Sequence, residues 1–192
     1  MGVSLSWLAV KGKSPEVVHA ELELCSTAQP GEAAISPFVA ATSNAGWHLI
    51  VARGCEHRII SPLVIKHLSR RCEVLTCTVE EHVMYSEATG WRDGQCLWSV
   101  AHSGEDEDTQ KTVSEKGALP VEYPAIRERF FREQEAENAA ESEVDFLFEI
   151  PVVLAQTFTG YKHDESSPAF EAHGFELLES SRKSFFQRLF AK

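Results

Sequence analysis

Residues 90–103 read GWRDGQCLWSVAHS, with Asp93-Gly94 between flanks rich in residues that favour strands. A type I′ turn needs positive φ at both central residues, and Asp-Gly meets that need, so the stretch predicts a β-hairpin. With a two-residue turn, Trp91 faces Cys96, Thr89 faces Trp98, Glu87 faces Val100 and Tyr85 faces His102. Alternation then gathers Tyr85, Glu87, Thr89, Trp91, Trp98, Val100 and His102 on one aromatic face, which should bury. A three-residue loop with a bulge would slip the register by one and sort the apolar residues less well, which favours the two-residue turn.

This register brings Glu87, His102 and Tyr85 together at one end of the aromatic face. A carboxylate in such surroundings must be paired, protonated or open to a cleft. The three residues are therefore the candidate site: they could act as acid and base, or bind a cation. The competing expectation is that Glu87 and His102 lie at the sheet margin, solvated.

Before the hairpin, SLSWLAV (4–10), GWHLIVARG (46–54) and CEVLTCTV (72–79) read as strands. Ser14-Pro15 and Ser61-Pro62 read as helix starts, because Ser caps and Pro fits the first turn, where its missing N–H is not needed. The first helix is expected from Pro15 to Leu24. Strand, Ser-Pro and helix thus occur twice, as in a weak internal duplication. Residues 26–46, rich in Ala, Ser, Thr, Pro and Gly, read as a long loop.

After the hairpin, GEDEDTQKTVSEKG (104–117) reads as an exposed connection, and a helix is expected from Pro124 to Glu137. Its end, REQEAENAAESE, is strongly acidic and reads as a solvated face and loop. VDFLFEIP (144–151) looks like a short strand or buried extended stretch, Pro151 to Thr159 like a helix stopped by Gly160, and YKHDESSP like a polar break. This order predicts an α+β domain with a mainly antiparallel sheet and helices packed on one face, built on a ferredoxin-like core with an added β-hairpin. The expected boundaries are one domain over 1–165 and a C-terminal appendage over 166–192 that carries a basic amphipathic helix.

The chain has 192 residues, of which 43% are hydrophobic and 24% charged, which suits a single globular core. Its 18 Lys and Arg against 29 Asp and Glu give a net charge of -11, which disfavours nucleic acid and suits a basic protein partner. From Ser181 onward Arg182, Lys183, Arg188 and Lys192 meet no acidic residue. That tail could touch a membrane or a partner, or fold back on the acidic body.

Cys25, Cys55, Cys72, Cys77 and Cys96 have no regular spacing and read as reduced thiols of a cytoplasmic protein. Cys72 and Cys77 would leave a strand on opposite faces, so they could not share a zinc ion there. Cys55 and His57 make a minimal nucleophile pair without an orienting third residue. His163, Asp164 and Glu165 are of metal-ligand types, but adjacent positions rarely converge, so they read as a polar turn. No metal or cofactor is expected, nor any membrane-spanning segment. Met1-Gly2 with Ser6 fits a loose acylation pattern, yet a first strand is the better reading, and no secretory signal is recognised.

On SWLAVKGKSPE, EEHVMYSEATGWRDGQCLWSV and VDFLFEIPVVLAQTFTGYKHDE, over roughly Ser4 to Glu165, the chain resembles a family of uncharacterised bacterial proteins of similar length. The resemblance implies a bacterial, cytoplasmic setting and brings no activity or catalytic residue with it. The functional expectation is a non-catalytic acidic protein-binding module, in its specific form an inhibitor or immunity protein for a basic toxin. The alternative is a small hydrolase using Glu87 and His102 in a cleft roofed by residues 26–46.

Overall fold

Six of the eight residues of β1 (Ser4–Lys11) are buried. Leu5, Trp7 and Ala9 enter one apolar cluster, while Leu8 and Val10 enter another on the opposite side. Successive side chains of a strand leave on opposite faces, so β1 needs cover on both. A computed structural model of the chain, describing residues 2–33, 35–104, 112–139, 144–171 and 174–181, shows how that cover is supplied.

Among the described residues nine strands form one sheet: β1, β2 (Leu24–Pro30), β3 (Phe38–Thr42), β4 (His48–Arg53), β5 (Glu73–Glu80), β6 (Tyr85–Arg92), β7 (Gln95–Ser103), β8 (Val113–Gly117) and β9 (Glu176–Ser180). Their order is β2-β9-β3-β4-β1-β5-β6-β7-β8, and every ladder is antiparallel. The α+β class and antiparallel sheet are as expected. The expected ferredoxin-like core is present as well: β1, β3, β4 and β5, with one helix between β1 and β3 and another between β4 and β5, adjoin in the order β3-β4-β1-β5 with every ladder antiparallel, and the β6-β7 hairpin is added beyond β5.

Helices lie on both faces, which corrects the one-sided packing. α1 (Pro15–Leu22) and α2 (Pro62–Leu68) cover one side, with a 3-10 turn at Arg58–Ile60. On the other side lie α3 (Tyr123–Ala139), α4 (Glu149–Thr159) and α5 (Pro168–Glu171). The one-sided expectation failed because β1, β4 and β5 are read as apolar runs, and such runs belong to strands buried twice.

Both Ser-Pro starts hold, with Ser14 and Ser61 in extended conformation ahead of their helices, but neither serine side chain makes the expected capping hydrogen bond. α1 ends at Leu22 because Glu23 turns left-handed at φ 58°, and Leu24 already opens β2. The expected loop at 26–46 contains β3 and most of β2. β2 was masked by its polar, largely exposed residues, and β3 by the small Ala40 and Ala41. β9 lies inside the sheet between β2 and β3, so the domain does not stop at 165. The basic tail at 182–192 and the end of the acidic run at 140–143 lie outside the described residues.

Part of the exposed connection is β8, and residues 105–111 lie outside the described residues. Residues 144–148 form no strand, since the chain bends at 146 and turns at 147–148, and α4 begins two residues ahead of Pro151, which its first turn tolerates. Gly160 ends α4 at φ 75°, as expected.

The cover on the α1 and α2 side is incomplete. These two short helices pack over Leu8, Val10, Ala40, Ile50, Ala52 and Val74, and little of their cluster extends onto β6 to β8. There the exposed side of the sheet carries polar side chains, and β6 alternates buried and half-buried residues. The bare half of this face is where a cleft forms.

Candidate functional site

The turn at the tip of the hairpin has two residues, with Arg92 paired to Gln95 and φ of 51° at Asp93 and 77° at Gly94. The register still slips, because Trp91 pairs with Cys96 while Gly90 pairs with Trp98, leaving Leu97 as a bulge. Glu87 consequently faces Ala101, and Ser86 faces His102. One inserted residue sends every later side chain of β7 to the other face. Trp98, Val100 and His102 therefore join Ala88 in the core beneath α3 and α4, while Tyr85, Glu87, Thr89 and Trp91 line the cleft.

Glu87 and His102 are thus on opposite faces of the sheet, which removes the arrangement that the hydrolase reading requires. Tyr85 stays with Glu87: its hydroxyl donates to Glu87 Oε2 at 3.2 Å, and Ser99 Oγ donates to Oε1 at 3.1 Å. Burial and the Glu87 carboxylate push the Tyr85 phenol well above its ordinary value, so it keeps its proton and serves as a donor. His102 is fully enclosed, with Nε2 2.8 Å from Asp145 Oδ2. Burial raises the Asp145 carboxyl, but the hydrogen bond and charge of His102 outweigh it and hold it below the usual range. Asp145 Oδ1 also accepts from Leu147 N–H at 3.1 Å, so the pair fixes the entry of α4 to the sheet.

The cleft encloses about 650 Å³. Thr76, Thr78 and Glu80 of β5, Tyr85, Glu87 and Thr89 of β6 and Ser99 of β7 form its floor, and Cys55, Glu56 and His57 its rim. Neighbouring hydroxyls tie the floor together: Thr76 and Thr89 lie 2.6 Å apart, and Trp91 Nε1 donates to Thr89 Oγ1 at 2.7 Å. Hydrogen bonds from Ser4 and His82 hold the Glu80 carboxyl down at about 2. Three carboxylates, at Glu56, Glu80 and Glu87, line the cleft against one ammonium, at Lys116.

Cys55 and His57 do share the rim, but they do not form a relay. His57 Nδ1 accepts from Ile59 N–H at 3.2 Å and caps the 3-10 turn. Burial and the nearby Glu80 push the Cys55 thiol up, away from the nucleophilic thiolate. All five cysteines are free, and Cys72 and Cys77 fall in the clusters on opposite faces.

The polar break YKHDESSP hides more order than its composition suggests. Lys162 is buried, with its ammonium 3.2 Å from Glu149, 3.1 Å from Asp164 and 2.9 Å from Glu165. His163 is also enclosed, 3.4 Å from Glu81 Oε1. The available signal was position: Lys162 follows the Gly160 stop of a buried helix by only two residues, and the chain folds back there to reach Glu149 in the first turn of α4. Among the described residues no helix is long and apolar enough to cross a membrane. In comparisons with family models, curated proteins and solved structures, the chain matches none.

Proposed function

We propose that the chain is a non-catalytic protein-binding module that takes a basic segment of a partner protein into the cleft on β5 to β8, an inhibitor or immunity partner of a basic toxin being its specific form. The observation that carries the reading is the cleft itself, an open sheet face where Glu56, Glu80 and Glu87 outnumber Lys116. Tyr85 and Trp91 add aromatic faces of the kind on which Arg and Lys side chains settle. The net charge of -11 acts at longer range, speeding encounter with a positive partner. The five free thiols support a reducing, cytoplasmic setting.

Co-purification from the native host at low and high salt tests the reading. A basic protein is retained at low salt and released as salt rises. Replacing Glu80 and Glu87 together by Lys weakens that retention by about 2 kcal/mol or more, since both carboxylates would face a desolvated cation in the complex. Glu128→Lys, on exposed α3 across the sheet, leaves it unchanged. Retention that ignores both salt and the Glu80/Glu87 double variant would refute the proposal.

A further inference from the structure

Towards the other end of the α1 and α2 face, two histidines meet. His19 of α1 and His48 of β4 bring their Nε2 atoms to 2.9 Å, and the residues are only 8% and 3% exposed. Two neutral imidazoles can bond in this way only if one nitrogen carries a proton and the other is bare. Thr42 Oγ1 lies 2.8 Å from Nδ1 of His48. With the proton on that Nδ1 and donated to the hydroxyl, Nε2 of His48 presents its lone pair to His19, the orientation in which such an outer partner holds a metal-ligating histidine.

The surroundings are costly for two polar rings. Val10 pairs with His48 in the ladder, and Ile50 follows it on the same face. Burial, then the charge His19 would carry, takes His48 down to about 4, and burial lowers His19 as well, against the opposing charges of Glu176 and Glu16. Both rings are therefore neutral near pH 7.

Oxygen ligands stand nearby. Glu16 precedes His19 by three residues on α1, and so shares its face. Glu176 of β9 pairs with Ala40 of β3 and so shares the face of Thr42 and its partner His48. Ser26 Oγ currently donates to Glu176 Oε2 at 2.6 Å. A cavity of about 740 Å³, lined by His48, Thr42, Glu16 and Glu176, gives an ion and its waters a way in. Among the described residues no three His, Cys, Asp or Glu side chains already stand as a metal cluster, so the histidine pair is the formed half and a carboxylate has to turn in.

We propose that His19 and His48 form a divalent transition-metal site of the zinc type, completed by Glu176 and water, in which the ion takes the place of the hydrogen bond between the two rings. The proton that His19 carries on Nε2 in the metal-free pair leaves through water, and His19 binds as the tautomer protonated on Nδ1, so that both Nε2 lone pairs reach the ion. Imidazole nitrogen with one carboxylate suits zinc, nickel or copper, whereas magnesium and calcium prefer oxygen. Zinc at about 2.0–2.1 Å from each nitrogen sets the nitrogens about 3.3 Å apart at a tetrahedral angle, so the rings have only to part by about 0.4 Å. The site goes beyond the partner-binding reading and is independent of it, because it shares no residue with the acidic cleft.

The test is titration of the metal-free, full-length protein with zinc chloride, and separately with magnesium chloride, read by calorimetry and thermal unfolding. One zinc per chain is expected, with a raised melting temperature and no response to magnesium. His19→Gln and His48→Gln each weaken zinc binding by at least about tenfold, and Glu176→Gln, which retains a partner for Ser26, by about tenfold. Since five thiols compete for zinc, the cobalt(II) complex is recorded too: nitrogen and oxygen ligation gives no thiolate charge-transfer band. If either histidine variant fails to fold, Glu176→Gln and the cobalt spectrum decide. Absence of zinc binding, binding unchanged in these variants, or a thiolate band accounting for the bound ion would each overturn the proposal.

Discussion

Methionine in place of Lys162 lowers the free energy of unfolding by about 3 kcal/mol, seen as a lower urea midpoint at an unchanged slope. The side chain of Lys162 is 7% exposed and lies within 3.2 Å of Glu149, Asp164 and Glu165. Burial alone would lower its pKa, but the carboxylates outweigh that and raise it above the ordinary lysine value, so it stays charged at any ordinary pH. Removing one partner of a buried ion group leaves uncompensated charge, which typically costs 3–5 kcal/mol, about the low end of which applies because Asp164 and Glu165 are half exposed. Pairing Lys162→Met with Glu149→Gln recovers part of the loss, since Glu149 is the most enclosed of the three carboxylates.

The same network predicts an acid limb. Lys162 holds the Glu165 carboxyl below its usual value, and overcomes burial to do so at Asp164. A carboxyl depressed in the folded state contributes stability that is complete above its unfolded pKa and is lost as pH falls through the folded value. Without Lys162 that contribution is gone already at neutral pH. The stability gap between the wild type and Lys162→Met therefore narrows as pH falls from about 5 to about 3. A gap that stays constant over this interval, or a variant as stable as the wild type at pH 7, would show that the ammonium is solvated in practice.

How much of this was legible depends on how local the determining chemistry is. The Asp93-Gly94 tip could be read from two residues, because positive φ is a property of the residues themselves. So could the Ser-Pro helix starts and the Gly160 stop. Strands of exposed or small residues were invisible: β2 and β9 acquire their identity from pairing with each other across some 150 positions of sequence. The histidine pair was hidden for the same reason, since His19 and His48 are unremarkable until α1 and β4 bring them together, whereas the Lys162 network lies within residues 149–165 and was hidden by a polar composition that resembles a turn. Tyr85 and Glu87 were found as neighbours because they lie two apart on one strand. Their supposed companion His102 was lost to a single bulge.

That bulge makes Gly90 the most sensitive position of the hairpin: Gly90→Ala destabilises the fold by about 3 kcal/mol, at the upper end of overpacking costs. Gly90 pairs with Trp98, and a Cβ built there would lie 2.2 Å from indole Nε1 and 2.4 Å from Cε2. On the far side Trp98 pairs with Gly117, whose own Cβ would sit 2.1 Å from the carbonyl oxygen of bulged Leu97, at φ 80°. The indole thus occupies room that Gly90 leaves, while Gly117 makes room for the displaced Leu97 carbonyl, which Ala118 N–H secures at 2.8 Å. A glycine inside a strand often marks such a close approach, and it was the sequence signal for the bulge. Because Trp98 is buried and its ring packs against Phe158 of α4, it cannot simply rotate away. Trp98→Leu costs stability by itself, but added to Gly90→Ala it should relieve the clash, so that the double variant is more stable than the sum of the single losses predicts. Strict additivity in that cycle, or a neutral Gly90→Ala, would mean that the register observed between β6 and β7 is not the one that carries the fold, and the separation of Glu87 from His102 would fall with it.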